Sequence, residues 1–170
     1  IDMDRLKVFI SSTQKDLQSE RDTAQGIIER LGHSCLRAES YDGPGVSPEV
    51  ACRRMSKDCD VYIGIFGSKY GFKIPDLKIS ATEMEYREAR KHIPEKILVY
   101  VQRSEDIEPE QSRFLTEVQD FSEGYFRHEK FETLRDLENQ INRDLITWTT
   151  NRIRLLVAKE IEVQALRNKV

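Results

Sequence analysis

The chain has 170 residues, 38% hydrophobic and 34% charged, with a net charge of −3 and a pI near 5.7. That length buries a core without disulfides or metals, and the acidic balance excludes a global basic footprint for sequence-specific nucleic-acid binding. No run approaches the 18 apolar residues of a membrane span. The three cysteines, Cys35, Cys52 and Cys59, are odd in number and form no C-x-x-C pair, which fits a reducing, cytoplasmic setting better than a disulfide framework or a metal site.

Leu6 to Ile10 is a short apolar, β-branched run and predicts a first strand. Ser11-Ser12-Thr13 ends it, and Ser11 with Gln14 has capping-box spacing. Leu17, Ala24, Ile27, Ile28 and Leu31 then fall at helical spacing up to Gly32. Ser34 to Glu39 predicts a second strand, followed by the turn-rich segment Tyr41-Asp42-Gly43-Pro44-Gly45. Ser47-Pro48 predicts an N-cap and first helical residue, with the helix running to about Lys57. Val61 to Phe66 is apolar on both faces and predicts a central parallel strand.

Gly67 to Leu77 reads as a long loop. The segment S-A-T-E-M-E-Y-R-E-A-R from Ser80 opens a helix that ends near Ile93-Pro94. Lys96 to Val101 predicts a strand, Pro109 to Ser122 a helix, and Tyr125 to Phe131 a last strand. From Glu132 the pattern is helical nearly to the end. The order predicts an α/β fold with a mostly parallel five-stranded sheet over residues 1–131, and a C-terminal helical extension over 132–170.

In such sheets ligands bind at the carboxyl ends of the strands. The helix opened by Ser80 starts directly after one of those ends. Ser80 and Glu83 have the S-x-x-E spacing of a capping box. Glu83 also has Arg87 and Arg90 four and seven residues on, the pattern of a solvated face. Glu85 shares its stripe with Ala81, Ala89 and Ile93, which predicts a carboxylate facing the sheet or a cleft. Desolvation there disfavours the charged form, as a nucleophile or base requires. A buried glutamate bonded to a loop backbone is the other reading.

Three motifs occur in order: V-F-I-S-S-T with Asp16, Leu17, Glu20 and Arg21 behind it, D-V-Y-I-G-I-F-G-S-K-Y-G, and S-A-T-E-M-E-Y-R-E-A. Together they resemble a domain of unknown function found at the amino end of signalling NTPases of the STAND type. More distantly they are similar to Toll/interleukin-1 receptor (TIR) domains and nucleoside deoxyribosyltransferases. The resemblance implies a flavodoxin-like, TIR-like three-layer sandwich. It also implies cleavage of the N-glycosidic bond of NAD or a related nucleotide, as substrate rather than cofactor, on oligomerisation. Glu85, four residues before Ala89, is the implied catalytic glutamate. Ser11 and Ser12 would line the pocket, Lys69 or Tyr70 would hold phosphate or base, and Ser80 completes the implied nucleotide-binding set. The alternative is a non-enzymatic adaptor that self-associates through the domain or its C-terminal helix. Local readings remain beside these: Ser11 to Thr13 as caps, Lys69 as a solvated loop cation, and Tyr86 as core packing.

Overall fold

The computed structural model describes residues 5–40, 45–119, 125–126 and 129–169. Four strands form a parallel sheet: β1 (Lys7–Ser11), β2 (Ser34–Leu36), β3 (Val61–Phe66) and β4 (Ile97–Val101), in the order β2-β1-β3-β4. A two-residue strand β5 (Tyr125–Phe126) pairs in parallel with β4, and Phe131 forms an isolated parallel bridge to Gln102. The predicted last strand spans these residues, and its residues 127–128 lie outside the described residues.

Val8, Phe9 and Ile10 in β1 and every residue of β3 and β4 are buried. That is why these strands lack apolar–polar alternation: helices cover both faces of the sheet. Asp60 locks the entry of β3 to β1. Its Oδ2 accepts from Lys7 N at 2.8 Å, and its own N–H donates to Lys7 O at 2.8 Å.

The helices are α1 (Gln18–Arg30), α2 (Pro48–Asp58), α3 (Ala81–His92), α4 (Pro109–Val118) and α5 (Leu134–Arg167). α2 is capped as its sequence predicts: Ser47 accepts from Val50 N, and Pro48 opens the helix. α1 ends at Gly32, whose φ of +84° suits a residue without a side chain. Two expectations are corrected. The second strand stops at Leu36, because residues Ala38–Ser40 turn as a single 3-10 helix. α1 begins only at Gln18, with Leu17 at the N-cap position and no side-chain cap. The Ser11 hydroxyl is still in β1 and bonds elsewhere.

A core cluster lies where α3 and α4 cover β3 and β4. Tyr86 sits at its centre, with ring centroids 5.6 Å from Phe114, 6.1 Å from Phe66 and 6.2 Å from Tyr62. Edge-on aromatic packing of this kind fixes a helix in rotation as well as position. Tyr86 is core packing, as its sequence context suggested.

The chain divides into two compact units, residues 1–138 and 139–170. The second continues α5, which begins at a reciprocal cap: Asp136 N donates to Thr133 Oγ1 at 3.1 Å, and Thr133 N donates to Asp136 Oδ2 at 3.0 Å. Ile153, Leu155, Val157, Ile161 and Leu166 are exposed along α5. Among the described residues no helix is long and apolar enough to cross a membrane.

Candidate functional site

Strand order reverses between β1 and β3: the chain runs outward to β2 on one side of β1 and to β3 and β4 on the other. A crevice opens at the carboxyl ends of strands on either side of such a switch. Here β1 ends at Ser11 and β3 at Phe66. The long loop after β3 leads into α3, whose N-cap Ser80 accepts from Glu83 N at 3.1 Å.

With Tyr86 turned into the aromatic core, the helix period of 3.6 residues determines where its neighbours point. Glu85, about 100° away, faces the end of β1, while Glu83 lies about 200° from Glu85. The two glutamates therefore enter separate environments.

Glu85 is 5% exposed, and the Ser11 hydroxyl donates to its Oε2. Burial pushes its pKa up to about 7. The Ser11 hydroxyl, the neighbouring Cys52 thiol and the charge of Arg21 pull the other way, and the charge of Glu39 adds to the rise. The Cys52 thiol is itself pushed up to about 12, mainly by burial and then by the Glu85 charge. It is a neutral neighbour rather than a thiolate. Tyr62 is fully buried, and its hydroxyl faces Ser11 without meeting hydrogen-bond geometry.

Glu85 looks into a cavity of about 950 Å³. Ser12, Thr13, Arg21, Glu39 and Lys69 share its wall. Arg21, 1% exposed, organises the strand-end side. Its Nη1 donates to Ser12 O at 3.1 Å and Ser12 Oγ at 2.9 Å, and its Nη2 to both carboxylate oxygens of Glu39. Arg21 carried no role in the reading of the sequence. The signal was present: it lies four residues after Leu17 and three before Ala24, on the buried stripe of α1. A guanidinium placed there must be paired.

Glu83 is fully buried, which corrects the expectation of a solvated face. Arg87, four residues on, does reach its Oε1. Arg113 of α4 reaches Oε2 at 2.7 Å, and the Tyr70 hydroxyl donates to the same oxygen. Burial opposes the charge, but these bonds, Arg113 first, hold the carboxyl below its usual range. The capping box is half made: the Glu83 side chain does not return to Ser80 N, which donates instead to the Tyr70 oxygen at 3.1 Å.

The candidate residues thus separate. Ser11, Ser12 and Glu85 meet at the strand ends. Lys69 lies on the cavity wall and pairs with Glu108 at 3.4 Å. Tyr70 and Ser80 are bound into the Glu83 cluster. Among the described residues no group of three or more His, Cys, Asp or Glu side chains is arranged to hold a metal ion.

A family model described as "Domain of unknown function (DUF4062)" matches residues 7–146. The chain belongs to the DUF4062 family. No curated protein matches it. The matched span takes in every residue of the candidate site: both glutamates, the Ser11-Ser12 strand end, Arg21 and Glu39, and the loop from Gly67 to Ser80.

Proposed function

We propose that this domain is the effector module of a larger, STAND-type signalling protein and cleaves the N-glycosidic bond of NAD or a related nucleotide when it is clustered. The observation that carries the reading is the Glu85 carboxyl, desolvated, held by Ser11 and open to the cavity at the β1/β3 switch point. The β2-β1-β3-β4 order also supports a flavodoxin-like, TIR-like reading of the sheet.

In this mechanism the ionised Glu85 faces the ribosyl C1′. The C1′–N bond breaks, the base leaves with the bonding electron pair, and C1′ takes on oxocarbenium character. Glu85 stabilises that charge. Water adds through oxygen to C1′ and releases a proton to solvent. Arg21 touches no reacting atom; it positions the strand end through Ser12. A carboxyl with a pKa of about 7 is poised between its two forms at neutral pH.

The adaptor reading has its own observation. α5 exposes Ile153, Val157 and Ile161 at four-residue spacing, an apolar stripe suited to self-association. The test of the enzyme reading is to tether the domain in clusters and supply NAD and a panel of nucleosides. Release of nicotinamide or free base supports it. No release under clustering contradicts it and leaves the adaptor reading.

A further inference from the structure

The cavity beside Glu85 has two unlike sides. Its strand-end side is polar. Its other side is apolar: Ile74 and Met84 pack with Cys52, and Pro48, Ala51 and Phe72 extend the wall. Cys52 lies next to Glu85, so the two sides meet at that carboxyl.

Phe72 is 75% exposed, more than any other large hydrophobic side chain among the described residues. A single exposed phenylalanine is ordinary. Its setting is not. The Phe72 carbonyl accepts from Ala81 N at 3.1 Å. Two residues earlier, Tyr70 N donates to Glu108 at 2.8 Å, and the Tyr70 hydroxyl donates to Glu83. Between them Gly71 has φ +86°, and a Cβ there would lie 2.8 Å from Thr13 Cγ2. The loop thus approaches the segment after β1 as closely as a residue without a side chain permits. Phe72 is left with a fixed backbone and a free ring on the wall of the cavity.

We propose that Phe72 recognises the base: its ring stacks on the planar heterocycle of a nucleoside or nucleotide bound in this cavity. The placement of the ribosyl carbon at Glu85 rests on the glycosidase reading; the stacking does not. Every nucleobase presents a π-face, so a lone aromatic platform gives affinity with little discrimination between bases. The polar side is left for the sugar.

The test is an equilibrium titration of the Glu85→Gln protein with adenosine, NAD and ribose 5-phosphate. Adenosine and NAD should bind more tightly than ribose 5-phosphate. Adding Phe72→Ala should weaken adenosine and NAD about tenfold and leave ribose 5-phosphate unchanged. Phe72→Tyr should keep the affinity, and Phe72→Leu should lose it. Equal affinities with and without the ring, Phe72→Leu binding like the parent, or no binding of adenosine or NAD would each overturn the proposal. If Phe72-dependent binding is found but the wild-type protein releases no base, only the glycosidase reading falls. If Phe72→Ala turns over NAD with unchanged KM, only the stacking proposal falls.

Discussion

The Ser11 hydroxyl donates a hydrogen bond to the Glu85 carboxylate across 74 positions of chain, joining the last residue of β1 to the second turn of α3. The bond opposes the desolvation of Glu85. A hydroxyl donor favours the charged carboxylate, burial favours the neutral acid, and the balance stands at about 7. Ser11 thus adjusts the acidity of a carboxyl that is buried and lines the cavity.

If Glu85 works as the carboxylate, kcat/KM rises with pH through about 7 as the acid ionises. Ser11→Ala removes a donor to the charged form, so the midpoint moves to higher pH with the steepness of the profile unchanged. A pH–rate profile for the two proteins checks this. An unchanged midpoint would show that the bond does not govern ionisation.

The same group ties stability to pH. The pKa of Glu85 is raised in the folded chain, from 4.5 to about 7. The favourable contribution of the neutral, buried acid is therefore fully present below pH 4.5. It is lost as pH rises through about 7, because the unfolded chain ionises first. The full loss is on the order of 3 kcal/mol. Glu85→Gln has no such proton to lose. Urea denaturation at a series of pH values should show wild-type stability falling relative to Glu85→Gln between about pH 4.5 and 8. Parallel curves would contradict the raised pKa.

Arg21 and Glu39 make an asymmetric pair, because the guanidinium is 1% exposed and the Glu39 side chain 37%. Glu39→Ala leaves a buried cation without its counter-charge and should cost about 3 kcal/mol. Arg21→Met removes that cation and leaves the half-exposed Glu39 with Arg37, 3.6 Å away, and with water, at a smaller cost of about 1 kcal/mol. Chemical denaturation of both variants measures the difference. Equal costs, or the reverse order, would contradict this account of the pair.

Much of the fold was legible because it is written locally. The apolar runs of β1, β3 and β4, the Ser47-Pro48 and Ser80 caps, and the Gly32 stop each act within a few residues. The site was legible only in part, because its partners come from distant chain. From its neighbours Ser11 reads as a cap for the helix beside it; only the family resemblance puts it in a pocket with Glu85, because nothing near it announces a carboxylate on α3. Glu83 read as solvated from its own arginines, yet Arg113 and Tyr70 arrive from α4 and the β3–α3 loop and let the charge be buried. The stripe of Ala81 and Ala89 did place Glu85 correctly as an inward residue, since that inference needs only the helix period. Strand β2 was overextended because Arg37 and Glu39 continue an extended-looking pattern that the 3-10 turn at Ala38–Ser40 interrupts.

Glu85, and not its neighbour Glu83, is the residue proposed to carry the chemistry. The most direct measurement is base release from NAD by clustered wild-type, Glu85→Gln and Glu83→Gln proteins, with each rate referred to the folded fraction. The account predicts release by the wild type, loss of at least a hundredfold with Glu85→Gln, and a Glu83→Gln protein that is less stable but still active. Release lost with Glu83→Gln and kept with Glu85→Gln would contradict it.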